Sequence, residues 1–183
     1  MGYTTDFEGK ITLSRPLKEE EAHYINQFSD TRRMGRDANI CKEFDDPVRE
    51  LVNLPIGIEG EFCVFDYGHR DRSILDHNSP PSTQPGLWCQ WVVSEDLTAL
   101  EWNGAEKFYA YFEWLIYIHD NMLFKWGVTF TTDDKLTYQG EEDDDHGEIF
   151  VQGGNIIKTV NDGFNESHEL KQIETTNETP TGD

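Results

Sequence analysis

Residues 87–124 read LWCQWVVSEDLTALEWNGAEKFYAYFEWLIYIHDNMLF. The apolar and β-branched run at 87–93 predicts a strand, Glu95-Asp96 supplies a turn, and Ala99, Leu100 and Trp102 return as the second strand of a hairpin. Asn103, with Glu106 three residues later, has the form of a helix cap. Phe108, Phe112, Leu115, Ile116, Met122 and Leu123 then fall at helical spacing, which predicts a long helix packed on the sheet and ended at Trp126-Gly127. Alternation along the first strand sets Trp88 and Trp91 on opposite faces, so one of them faces solvent or a partner unless both sheet faces are covered.

The flanks extend this pattern. Residues 3–13 alternate as a strand with a slip at Gly9 that suggests a bulge. Pro16, the acids Glu19, Glu20 and Glu21, and the stripe Ala22, Ile25 and Phe28 predict a helix to about Asp30. Asp46-Pro47 with Val48, Leu51 and Val52 predicts a short helix, residues 62–65 a strand, and 66–86 a long loop. Residues 128–131, 136–139, 149–152 and 156–160 read as strands, with Gly153-Gly154-Asn155 as a hairpin turn. This order predicts an α+β fold: a mostly antiparallel sheet with two main helices on one face, related to the ferredoxin-like split, and with C-terminal hairpins. A single domain is expected over residues 1–160 and a disordered acidic and polar tail over 161–183.

Thirty-six acids against fifteen Lys and Arg give a net charge of −21, yet 36% hydrophobic residues are enough for a core. Such a charge excludes a sequence-independent grip on nucleic acid, which depends on cations neutralising phosphates, and disfavours anionic lipid surfaces. No run of about 18 apolar residues is present to span a bilayer. The start lacks the basic and apolar regions of a secretory signal, so a cytoplasmic setting is expected. Cys41, Cys63 and Cys89 are odd in number and without CxxC spacing, which fits reduced, partly buried thiols. Charge is also unevenly placed. Residues 15–49 hold seven of the fifteen bases, whereas residues 95–183 hold twenty acids and five bases.

The run Glu141, Glu142, Asp143, Asp144 and Asp145 is the densest charge cluster. Its carboxylates suit a hard divalent cation, but the spacing departs from the EF-hand loop. A solvated hairpin loop and a mimic of a row of phosphates are the other two readings. In the 66–77 loop, Tyr67, His69, Asp71 and His77 could furnish ligands or a general acid and base, or be solvated. His119, among aromatic helix residues, reads as a satisfied core or boundary histidine. A Gly-rich phosphate loop, a nucleophile elbow and HExxH are all lacking, which lowers the expectation of an enzyme.

The opening MGYTTDFEG, Thr31-Arg32-Arg33-Met34, the segment PGLWCQW at 85–91 and GAEKFY at 104–109 together resemble a family of small, acidic, uncharacterised proteins of bacteria and their phages. The resemblance spans residues 1 to about 160. It implies a bacterial or phage origin and a cytoplasmic context, and carries no activity, cofactor or site residue.

The leading expectation is therefore a non-enzymatic binding protein that docks on a basic protein surface, such as that of a nucleic-acid-binding protein. For a phage source its concrete form is a host-takeover or anti-defence inhibitor acting by charge mimicry. Glu141, Glu142, Asp143, Asp144 and Asp145 would make the electrostatic contacts, with Glu95, Asp96 and Glu101 beside them and Trp88 or Trp102 as apolar anchor. No catalytic residue, metal or cofactor is assigned. The alternatives are a small-molecule or metal site on Tyr67, His69, Asp71 and His77, and a structural or assembly component of a larger particle.

Overall fold

The computed structural model describes residues 2–65, 70–161 and 163–174. In chain order its elements are β1 (Thr5–Gly9), β2 (Ile11–Thr12), α1 (Glu19–Asp30), β3 (Gly35–Arg36), α2 (Ala38–Cys41), α3 (Pro47–Leu51), β4 (Ile74–Asp76), β5 (Trp91–Val93), β6 (Ala99–Trp102) and α4 (Tyr111–Ile118). After α4 come β7 (Lys135–Gly140), β8 (His146–Gln152), β9 (Asn155–Lys158) and β10 (Glu166–Glu169).

The fold is mixed α and β with antiparallel sheets, but it does not take the ferredoxin-like form. Strands divide among a five-stranded sheet of order β1-β7-β8-β9-β10, a three-stranded sheet of order β2-β6-β5 and the pair β3-β4. The N-terminal strand serves both larger sheets. Gly9, at φ 90°, bends it where a Cβ would strike Lys135 O, so β1 pairs with β7 and β2 with β6.

One face of the five-stranded sheet carries Phe7, Leu136, Tyr138, Ile149, Val151 and Ile156, all buried. Its other face presents Asp6, Glu8, Gln139 and Gln152 to solvent. The apolar face joins a single hydrophobic cluster with Trp91, Leu100, Phe108 and α4. Along α1, Ala22, Tyr24, Ile25 and Phe28 are buried. The helix is fastened over β5 by Ser29 Oγ donating to Trp91 O and by Val93 N donating to Asn26 Oδ1. It begins three residues after Pro16's turn would place it, because Glu21 turns back to accept the Lys18 N–H and a two-pronged bond from Arg15.

Several predicted elements differ; residues 128–131, expected as a strand, make only a single bridge between Phe130 and Leu13. The expected strand at 62–65 is a buried, irregular segment whose backbone is satisfied by side chains instead of a ladder. Tyr24 Oη donates to Phe62 O, Arg33 to Cys63 O and Gln27 Nε2 to Val64 O, and Val64 N donates to Asp46. The helix expected from Asn103 starts only at Tyr111, because Gly104, Lys107 and Ala110 all adopt positive φ. Each non-glycine excursion costs about 1–2 kcal/mol, which the burial of Phe108 beside Trp91 and Phe7 offsets. Order also continues past residue 160: β10 adds a fifth strand and Leu170 is buried, where a disordered tail is expected. Asp162 and residues 175–183 of that expected tail lie outside the described residues. Among the described residues no helix is long and apolar enough to cross a membrane.

Candidate functional site

The acidic run forms the connection between β7 and β8, and it is tied down at several points. Gly140 N donates to Asp145 O at 2.6 Å and Asp145 N to Glu142 O at 3.0 Å, closing the loop on itself. Tyr3 Oη donates to Asp145 Oδ2 at 2.6 Å, and Thr4 N donates to Glu141 Oε1 at 2.7 Å. Asn161 Nδ2 donates to Asp144 O, and Gln139 Nε2 to Glu142 O. Gly140 has no side chain for a reason: a Cβ there would collide with both Asp145 Oδ2 and Tyr3 Oη. The Asp145 carboxylate, as hydrogen-bond acceptor, raises the Tyr3 phenol's pKa.

Two of the five carboxylates, Glu141 and Asp145, are therefore engaged within the molecule. Glu142, Asp143 and Asp144 are exposed, and no described group bonds their carboxylates. They stand out from a fixed backbone.

Tyr3 carries the surface onward, because its N–H donates to the Tyr109 hydroxyl at 3.1 Å. Tyr109 is 56% exposed, and the neighbouring Lys107 stem packs over Gly2. One residue further back, Glu106 lines a cleft of about 340 Å³ together with Asp30, Trp88, Gln90 and Asn103. Trp88 is 42% exposed while Trp91 is fully buried, which resolves which of the two faces outward. Tyr3 thus links the acidic loop to Tyr109, which lies three residues along the chain from Glu106 of the Trp88 cleft.

The other expected contact residues fall differently. Trp102 is half-buried beside Phe7, with its indole N–H donated to Gln90 Oε1 and Ala105 O, so it acts as a support for the 103–106 loop. Glu101 is half-buried on β6, opposite Val92. Glu95 and Asp96 occupy the β5–β6 turn, next to Leu13 and Leu17, whereas the acidic loop adjoins Thr5 at the other end of the β1–β2 ribbon. Bonds from Thr98 and Ser94 hold the Asp96 carboxyl down at about 2.

In the 66–77 loop, Tyr67 and His69 lie outside the described residues. Asp71 is engaged: it accepts bonds from Arg36 Nη1 at 2.6 Å and from Ser73 N. His77 is exposed at the opposite end of β4, where its carbonyl accepts Arg32 Nε. The described part of the loop does not bring Asp71 and His77 together. Nor do the described residues hold a group of three or more His, Cys, Asp or Glu that could ligate a metal.

Three of the seven bases of the N-terminal segment are withdrawn from the surface. Arg33, Arg36 and Arg49 are buried, Arg33 over the Phe28 ring at 4.0 Å and Arg49 against Asp46 at 3.2 Å. Burial, the largest cause, pushes the Asp46 carboxyl up.

Two arrangements escape sequence reading. His119, fully buried, lies 2.8 Å from Thr129 Oγ1 and 2.7 Å from Asp120 Oδ1, and Asp120 Oδ2 lies 3.0 Å from His168 on β10. His119 opens a π-helical turn (His119–Leu123) beyond α4. Because His119 has no exposed surface, this chain of bonds fastens β10 to the helix rather than offering a base to solvent. The second is the convergence of Asp30 and Glu106 on one cleft; the only signal for it is an acid in the last turn of α1, where a cation is the favoured charge.

In comparisons with known proteins, no family model, no curated protein and no solved structure matches the chain.

Proposed function

We propose that this protein is a non-enzymatic binding module that docks on a basic protein surface through the 141–145 loop and the aromatic ground beside it. The single observation that carries the reading is the fixed loop: Gln139 and Asn161 bond its backbone, Tyr3 and Thr4 bond the Asp145 and Glu141 carboxylates, and Glu142, Asp143 and Asp144 stay unengaged and exposed. A prearranged row of charges loses little conformational freedom on binding, and complementary potential raises the rate of encounter. Exposed Trp88 and Tyr109 supply amphipathic anchors of the kind favoured at interface hot spots.

The overall charge of −21 supports a basic partner, and nucleic-acid-binding proteins are the class whose surfaces are built to accept such a field. With the phage-type resemblance of the sequence, the concrete form of the reading is an inhibitor that occupies a nucleic-acid channel of a host protein by charge mimicry.

The test is capture of partners from host lysate at about 50 mM and about 500 mM salt, using wild type and a Glu142→Gln, Asp143→Asn, Asp144→Asn variant. Wild type should retain one basic protein at low salt and release it at high salt, and the variant should lose it while keeping its circular dichroism spectrum. Equal capture by the variant overturns the reading.

A further inference from the structure

We propose that the cleft between the end of α1 and the 103–106 loop is a guanidinium-binding site, and that its occupant is an arginine side chain of a basic partner; the identity of the occupant rests on the docking reading above. The cleft holds about 340 Å³, enough for a guanidinium and part of its aliphatic stem.

Three features converge on a cation. Asp30 and Glu106 both line the cleft, and among the described residues neither carboxylate takes part in a hydrogen bond or ion pair. Asp30 is the last residue of α1, a twelve-residue helix whose final turn has no basic residue. The helix's C-terminal end carries partial negative charge, so an acid there is unfavourable for the free protein and favourable for a bound cation. Trp88, 42% exposed, also lines the cleft, and indole is the aromatic ring that attracts cations most strongly.

The walls are fixed before anything binds. Gln90, 7% exposed, donates to Glu106 O at 2.9 Å and accepts from Trp102 Nε1 at 3.1 Å. Asn103 N donates to Gln90 O at 3.0 Å, and Asn103 Oδ1 accepts from Ala105 N at 2.9 Å. Thr31 meanwhile satisfies the end of α1 from the other side, through its hydroxyl to Gln27 O and its N–H to Phe28 O. Thr31 thus occupies the Gln27 and Phe28 carbonyls, and the Asp30 carboxylate is left for a ligand. Two carboxylates beside a flat ring suit the planar, multi-donor guanidinium better than the compact ammonium of lysine.

The experiment follows the Trp88 indole N–H and the amides of Asn103 and Glu106 by heteronuclear NMR of the full chain. Nα-acetyl-arginine amide is titrated against the lysine and citrulline analogues. The arginine probe should give saturable shifts at these positions with a Kd on the order of 1–10 mM. The lysine analogue should bind at least threefold more weakly, and the uncharged citrulline analogue should show no saturation. An Asp30→Asn, Glu106→Gln variant should keep its spectrum elsewhere and lose at least tenfold in affinity. Equal response to citrulline, absence of saturation at Trp88, or an unchanged variant overturns the guanidinium site.

The same two variants separate this inference from the docking reading. The Glu142→Gln, Asp143→Asn, Asp144→Asn protein should bind the arginine probe like wild type. If the probe seats in the cleft but no basic protein is captured, the docking reading fails and the guanidinium site stands. If a basic protein is captured equally well by the Asp30→Asn, Glu106→Gln variant, the assignment of the occupant to that partner fails.

Discussion

Tyr3 donates its phenolic proton to Asp145 across 2.6 Å, joining the residue ahead of β1 to the far end of the acidic loop. The bond fixes the loop from outside its own hairpin and leaves Tyr3 N–H to reach Tyr109. Tyr3→Phe removes the donor and keeps the ring. The expected outcome is faster hydrogen exchange at the Gly140 and Asp145 amides, by about three- to tenfold, with exchange in β8 and β9 unchanged. Exchange that is unaltered at both amides would show that the hairpin holds itself.

Trp91 is the centre of the aromatic packing. It is fully buried, with ring contacts to Phe7 and Phe108 both at 5.1 Å, and its indole N–H donates to Tyr111 O at 2.8 Å. Trp91→Ala should lower stability in urea by about 3–5 kcal/mol, through lost burial and the cavity left behind. Trp88→Ala, at an exposed position, should change it by less than about 1 kcal/mol. If the two variants unfold at the same denaturant concentration, the assignment of inward and outward tryptophans is wrong.

What could be read from the chain in advance follows from which signals are local. The α1 stripe, the β5–β6 hairpin and the β8–β9 turn are written in neighbouring residues and appear in the fold. Residues 62–65 look like a strand because burial requires apolar side chains whether or not a ladder forms; only Tyr24, Gln27, Arg33 and Asp46, distant in sequence, make an irregular backbone tolerable there. The sequence Glu-Ser-His-Glu of β10 has no alternation to read, since its place depends on pairing with β9 and on His168 meeting Asp120. In the site, the acidic run is visible at once, but the division between engaged and free carboxylates depends on Tyr3 and Thr4. Asp30 and Glu106 come to line one cleft only because α1 ends where the 103–106 loop passes.

The three cysteines should differ in reactivity despite their common burial. A hydrogen bond from Cys63 is the largest influence on the Cys41 thiol and, with help from Ser73 and Arg36 against the opposing effect of burial, lowers its pKa. The same bond, followed by burial, raises Cys63, and burial takes Cys89 to about 12. Since the thiolate is the reactive form, brief iodoacetamide treatment of native protein at pH 7 should label Cys41 first, at least tenfold ahead of Cys89. Peptide mass mapping reads the order directly. Labelling of Cys89 at the rate of Cys41 would contradict it.

Acid should loosen the attachment of β10 to the helix, and the sign can be worked out group by group. Burial, the largest influence on His119, lowers its pKa despite the opposing bond to Asp120, so the folded protein keeps it neutral below the pH at which the unfolded chain takes up a proton. Its contribution is complete above about pH 6.5 and is lost as pH falls through the depressed folded value. For Asp120, burial opposes ionisation, but bonds from His119, Lys171 N and His168 outweigh it and lower the pKa. That contribution is present above about pH 3.9 and is lost as pH falls through the lower folded value. Both losses run in the same direction, and His119 acts first. Urea unfolding should show stability declining from pH 6.5 to pH 5 with a slope from this residue of at most about 1.4 kcal/mol per pH unit. His119→Asn can still donate to Asp120 but does not titrate; it should cost about 1–3 kcal/mol at pH 7 and flatten the slope over that interval. A variant that loses stability on acidification as steeply as wild type would show that the acid response originates elsewhere in the fold.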